Sequence, residues 1–431
     1  MVRHGFHLPR PAWWLLVVSG FFHLSIGLSN TFVNIFVFKV DHSFSAIAWY
    51  NLLVFILLPF TFVLGAWMAR RTSTALVLRL GIAMHALFYG ITLMIGERAA
   101  HMPALLGVLM GFAAGFYWLA FDVLSVEYTD RGGHEPFFGI HGVLTSVTNV
   151  IAPPIAGLLI SREDLFFGGL TGYHIVFGIS FALFLVATLL SFRLHSEKMS
   201  KIRLGRGFGA LRRKAWWKLM VASSIYGLRE GVFMFLIGLL VFLATGSEMR
   251  LGEFLLLQGA LSFVAFYLAG RWSNKFRSRL FTIGVIGMSV AAVLFLFPIT
   301  TPTIVTYGCI TAATLPFFSV PLQGFVYDTM EQIDIPELST TTHIIVREWF
   351  ENAGRVIGIV LFLAISANQS TTQAKGLSWL SFGLGLVQIA AWALLWQGTK
   401  HQGGGKRRRR LPDEEDAQAQ DRARKRLTPT S

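Results

Sequence analysis

The chain has 431 residues, 54% of them hydrophobic and only 14% charged, with a mean hydropathy of +0.59. A chain this apolar has too little polar surface to cover a water-soluble fold, which excludes a soluble enzyme or binding domain and makes lipid its solvent. The net charge of +14 does not point to nucleic acid either: +5 falls in the tail from Lys400 and +7 in Arg193–Lys214, the clustering that loops on one side of a membrane produce.

Twelve apolar runs are long enough to cross roughly 30 Å of hydrocarbon as helices. They span Ala12–Val40, Ser43–Met68, Ala75–Gly96, Met102–Val126, Phe137–Ile160, Gly172–Leu194, Ala215–Thr245, Leu251–Trp272, Leu280–Pro298, Pro302–Asp328, Thr340–Ser366 and Gly376–Gln397. The first is too long for a signal-peptide core and lacks a small-residue cleavage pattern, so it reads as a retained anchor. With the N-terminus inside, the inner loops collect Arg3, Arg10, Arg70, Arg71, Arg131, the 193–214 cluster, Arg271, Lys275, Arg277, Arg279 and the tail. The outer loops collect only Lys39, Arg98, Arg162, Arg250 and Lys375. That asymmetry predicts a multi-pass protein of the cell membrane with both termini cytoplasmic. The segment from Gly403, with its Lys406–Arg410 run, cannot bury a core and reads as a disordered tail that touches anionic lipid. Cys309 is the sole cysteine, so no disulfide framework and no cysteine metal site is expected; no cofactor and no metal is implied.

The sequence repeats itself. Ala12-Trp13-Trp14 returns as Ala215-Trp216-Trp217, an offset of 203. Gly65-Ala66-Trp67 followed by Arg70 returns as Gly270-Arg271-Trp272 followed by Lys275, an offset of 205. Phe116-Tyr117 followed by Glu127 returns as Phe317-Phe318 followed by Asp328, an offset of 201. Both tryptophan pairs open helices on the same side, so the repeat is parallel. The expected domains are a six-helix bundle over 1–194, a basic linker over 195–214, a second bundle over 215–398 and a tail over 399–431.

Two parallel six-helix halves joined by a basic loop resemble the major facilitator superfamily from Ala12 to Gln397. The family's signature after the second helix is matched by Gly65 and Arg70, with Ala69 where an Asp is usual. In the second half Gly270, Lys275, Arg277 and Arg279 match, with Asn274 at the Asp position. Pro153-Pro154-Ile155-Ala156-Gly157 retains part of a motif of the family's exporters and hints at antiport. The resemblance implies an all-α fold with segments 1, 4, 7 and 10 around a central cavity, transport by alternating access and no enzymatic activity. The partners it implies are a small organic substrate, amphipathic if the aromatic residues line the cavity, protons or another coupling ion, and membrane lipids. The working unit is expected to be a monomer.

Titratable side chains inside spanning helices cost several kcal/mol unless paired or hydrated. Arg229 and Glu230 lie near the middle of segment 7. Arg347, Glu348, Glu351, Asn352 and Arg355 crowd segment 11, and Asp122 lies on segment 4. Arg355 falls fifteen residues from Thr340, roughly 22 Å along a helix and near mid-membrane. Arg347, Glu351 and Arg355 share one helix face at four-residue spacing, where they form either a substrate or proton-coupling site or a packing ladder. His23, Asn30, Asn34, Tyr117, Trp118, Phe317 and Phe318 are candidate cavity-lining residues. Glu127 and Asp328 are expected to pair with Arg70, Arg71 or Lys275 at a cytoplasmic gate. His85, His141 and His343 read as hydrogen-bonded helix residues, and Gly111 and Gly115 as close-packing positions. A lipid or glycolipid flippase of the same fold is the competing function, and it expects charges only at the headgroup end of a Phe-lined cavity. A membrane enzyme lacks any visible nucleophile and base.

Overall fold

The computed structural model describes residues 8–129, 134–162, 170–199, 202–332, 340–366 and 372–402. The described residues are helical, with no strand among them. The first six helices are α1 (Arg10–Asp41), α2 (Phe44–Arg71), α3 (Thr74–Ile95), α4 (Pro103–Glu127), α5 (His134–Ser161) and α6 (Thr171–Ser191). After them come the short α7 (Leu204–Gly209), then α8 (Lys214–Thr245), α9 (Glu248–Ala292), α10 (Thr301–Gln332), α11 (Thr340–Ser366) and α12 (Thr372–Gln402). The expected tail from Gly403 lies outside the described residues. Met1–Leu394 forms one compact unit that holds everything below; Leu395–Ser431 is a separate short unit, described only for the last turns of α12.

Twelve spans are long and apolar enough to cross a membrane among the described residues. Ten have a helix of their own or nearly so, and the expected loop between segments 8 and 9 is absent. Instead α9 carries both Glu248–Ser273 and Lys275–Leu296, bent where Phe276 leaves helical geometry (φ −131°, ψ 28°). The basic signature of the second half therefore sits on an elbow. Boundaries elsewhere follow capping chemistry. Ser43 and Ser73 accept hydrogen bonds from the N–H groups of Ala46 and Leu76, and Gly246 ends α8 in the left-handed region at φ 63°.

Lipid gives helices no hydrophobic drive toward one another, so small residues decide where they approach closely. Gly107, Gly111 and Gly115 lay α4 on the backbone and side chains of α2 at Tyr50, Val54 and Thr61. Gly81 of α3 packs on the backbone of Phe116 and Tyr117, and Gly284 of α9 packs on the backbone of Phe317 and Phe318. These two joints are 203 residues apart, at the very pairs that flag the repeat. The fold is two pseudo-symmetric six-helix bundles.

The bundles meet along two seams. α5 lies on the first limb of α9, where Gly157 and Gly252 bring the backbones together around Glu248 and Pro153-Pro154. α2 lies on α11, with Phe60 edge-on to Trp349 at 4.8 Å. At the end remote from the basic loops, Lys39 of α1 reaches Glu248 at 3.0 Å, and Tyr173 of α6 donates to the same carboxylate at 2.9 Å. Glu248 is buried, so this bond fastens the far end of one bundle to the other.

Candidate functional site

α8 and α11 interlock through two small-residue pairs, Gly227/Gly231 and Gly354/Gly358. A Cβ at Gly231 would stand 2.7 Å from the Cα of Arg355, and one at Gly354 would run into the carbonyl of Ser224. The close approach seats Glu351 and Arg355 of α11 beside α8. Arg355 is the centre. Its Nη2 donates to Glu230 at 2.7 Å and to Glu351 at 2.6 Å, its Nε to Glu230 at 3.0 Å and its Nη1 to Asn352 at 3.0 Å. Asn352 donates in turn to Glu348 at 3.2 Å, and Glu348 accepts from Arg347 at 3.0 Å, with Arg347 lying 3.7 Å from Glu351. Tyr226 donates to the other oxygen of Glu230 at 3.4 Å.

This network forms one wall of a cavity of about 430 Å³ between the bundles. Opposite it stand Asn30, Asn34, Asn51 and Tyr50 toward the far end, and Asp122 and Trp118 toward the basic end, with Phe22, Phe55 and Phe62 between. Asn51 donates to Asn34 at 2.8 Å. The cavity thus has a neutral polar end, aromatic sides and a charged wall. The charges run from Arg347 to Arg355, about 12 Å along α11, rather than collecting at one end as a lipid headgroup site requires.

Several expected residues lie elsewhere. Arg229 does not share a site with Glu230, because successive helix positions point about 100° apart. It is buried on the other side of α8, donates to Tyr307 at 3.1 Å and lies over the Phe233 ring at 4.7 Å. Arg355 is the guanidinium that holds Glu230. Tyr117 is fully buried and stacks on Phe22, so it backs the wall without forming it. His23 turns from the cavity to meet His141, with Nε2 atoms 3.2 Å apart. Phe318 is buried against Phe281 and Tyr226, and Phe317 packs at the Gly284 joint, so neither lines the cavity.

The expected gate pairs also change. Asp328 pairs with Arg277, which the elbow of α9 turns inward, while Lys275 is exposed beside the Phe276 ring. Glu127 accepts from the backbone N–H of Glu197 at 3.3 Å; Arg70 and Arg71 are exposed, and Arg71 lies over Trp67. The sequence reading missed Tyr50, Asn51 and Phe55 as cavity residues. α2 is apolar almost throughout, so in the sequence these positions resemble ordinary packing residues. His85, expected as a hydrogen-bonded helix residue, has Nδ1 donating to the Gly81 carbonyl at 2.8 Å, and it also lines the cavity.

The sequence profile of the Major Facilitator Superfamily matches residues 15–366. The chain belongs to that superfamily. YqgE of Bacillus subtilis (strain 168) is 36% identical over 375 residues, 86% of this chain and 86% of that protein. A Geobacillus stearothermophilus protein from the sodM 3′ region is 40% identical over 193 residues, 45% of this chain and 86% of that one. Among solved structures, the nucleoside transporter NupG superposes with a TM-score of 0.66 at 13% identity, covering 90% of this chain and 99% of NupG. A bacterial homolog of the human lysosomal transporter Spinster, inward-facing and occupied, gives 0.64 at 14% identity, covering 90% and 96%. At those identities the likeness is one of fold. Membership of the family makes this chain a multi-pass membrane transporter and not an enzyme.

Proposed function

We propose that the chain is a proton-coupled secondary transporter of a small organic molecule, with the cavity as its substrate site and Glu230, Glu351 and Arg355 as its coupling group. The observation that carries this reading is that one guanidinium serves two carboxylates on different helices beside the cavity. A proton on Glu230 cancels the attraction that joins α8 to α11, and a proton on Glu351 cancels the competing one within α11, leaving Arg355 to Glu230 alone. The other attraction and the substrate then determine which packing is favoured, and a ligand moves such an equilibrium only by its differential affinity for the two states. In this reading residues 1–194 and 215–398 rock against each other about the cavity, 195–214 links them, and 399–431 stands outside the cycle. The Lys39–Glu248 bond is the far-end closure that must open.

Glu230→Gln keeps the volume and removes the titratable charge. The expected result in proteoliposomes is normal insertion, at least a tenfold loss of pH-gradient-driven accumulation, and retained equilibrium exchange. Wild-type, gradient-dependent accumulation by this variant would move the coupling role to another carboxylate.

The orientation belongs to the same proposal: cell membrane, both termini cytoplasmic, supported by the arginine and lysine asymmetry. Cysteines placed at Arg250 and Lys375 are expected to react with an impermeant maleimide on intact cells, and cysteines at Ser200 and Gln402 only after lysis. Labelling at Ser200 from outside overturns the orientation.

A further inference from the structure

We infer that the substrate is an amphipathic organic cation and that Asp122 is its anchor. The inference rests on the cavity being the substrate site, as proposed above, and adds the chemistry of what enters it.

The charge inventory comes first. Four carboxylates, Asp122, Glu230, Glu348 and Glu351, stand in or beside the cavity against two guanidiniums, Arg347 and Arg355. Both guanidiniums are committed. Arg355 spends its donors on Glu230, Glu351 and Asn352, and Arg347 is held by Glu348. An anionic ligand would have to displace a carboxylate from one of them. A cation meets no such obstacle at Asp122, which lines the cavity: the charges that face it are Arg347 and Glu348 of α11, and Arg347 is already bonded to Glu348.

The second observation is the approach route. Asp122 also lines a separate cavity of about 510 Å³ that opens toward the basic end, and that cavity is walled by Glu127, Glu197, Lys198 and the start of α11. Three carboxylates against one lysine is the reverse of the protein's overall balance. The basic residues that give the chain its charge of +14 are in the loops and tail, whereas the passage is acidic. A low-dielectric passage lined by one sign of charge concentrates the opposite sign.

The third is what surrounds Asp122. Trp118 lies four residues earlier on α4, hence on the same helix face, and also lines the cavity. A cationic centre paired with Asp122 lies within reach of the indole face, and the apolar body attached to it has Phe22, Phe55 and Phe62 to pack against. A proton and such a cation compete for the same carboxylate, so loading one discharges the other, which makes the cycle an exchange of cation for proton.

The test uses purified full-length protein in detergent at pH 8 with two cations, tetraphenylphosphonium and ethidium, and with tetraphenylborate, an anion of the same shape as the first. Both cations are expected to bind saturably and tetraphenylborate not to compete. Lowering the pH from 8 to 5.5 is expected to weaken cation binding by tenfold or more. Asp122→Asn is expected to lose at least tenfold in cation affinity and most of the pH dependence, and Asp122→Glu to keep both in part. Equal binding of tetraphenylborate, no binding of either cation, or wild-type cation affinity in Asp122→Asn each overturns the inference. The wild-type comparison of cation with anion stands even where the asparagine variant folds poorly. Binding in detergent needs no gradient, so loss of proton-driven flux in Glu230→Gln and loss of cation binding in Asp122→Asn succeed or fail separately.

Discussion

Arg355→Ala is expected to be the most damaging charge substitution in the chain, lowering stability by about 3–5 kcal/mol and abolishing transport. The side chain is 12% exposed, and Glu230 and Glu351, its two carboxylate partners, are 26% and 14% exposed. Removing the cation leaves two negative charges beside each other with nothing to offset their loss of water. Asn352 loses an acceptor role as well. A melting comparison of purified variant and wild type at pH 8 checks this. Combining Arg355→Ala with Glu230→Gln removes one stranded charge, and the double variant is expected to recover part of the loss, a coupling that a double-mutant cycle measures. Arg355→Lys keeps the charge but not the fork that reaches Glu230 and Glu351 together, so it is expected to restore stability more than transport. An alanine variant as stable as wild type at pH 8 would show that the network carries no net electrostatic weight.

The charged cluster of α11 and the repeat were visible in the sequence because both are local patterns. Charges are rare in apolar runs, and a duplicated pair of aromatics leaves a fixed offset. What sequence spacing does not show is the rotation of one helix against another. Arg229 and Glu230 are neighbours in the chain and strangers in space, whereas Glu230 and Arg355 are 125 residues apart and joined at 2.7 Å. The exchange of Arg277 for Lys275 as the partner of Asp328 has the same origin, since the bend at Phe276 sets which basic residue faces inward. Asp122 was legible as an intramembrane acid, but that it shares a cavity with Arg347 and Glu348 depends on how α4 and α11 are turned toward each other. One signal was present and unread: Gly227-x-x-x-Gly231 and Gly354-x-x-x-Gly358 are both small-residue motifs of close helix contact.

Those glycines carry the last expected result, a loss of function from a single methyl group. Gly354→Ala places a Cβ against the carbonyl of Ser224, and Gly358→Ala places one against the carbonyl of Leu228. The atoms met are backbone atoms, so no side chain can swing aside, and α8 and α11 must separate or slide. Overpacking of this kind costs about 1–3 kcal/mol where side chains can adjust, and backbone against backbone puts these substitutions at or above the top of that range. The consequence reaches the site directly, because Arg355 follows Gly354 and its bonds to Glu230 and Glu351 are at 2.7 and 2.6 Å. A displacement of about 1 Å takes those contacts out of hydrogen-bond range. Gly354→Ala is therefore expected to lower the melting temperature and to lose at least tenfold in transport, and Gly354→Val to yield little folded protein. Gly178→Ala on α6 is the control: nothing lies within 4 Å of its Cβ position, and alanine is the better helix former by about 1 kcal/mol, so that variant is expected to match or exceed wild type in stability. If Gly354→Ala and Gly178→Ala behave alike, the close contact of α8 with α11 is not what positions Arg355, and the charged network holds the helices together rather than being held by them.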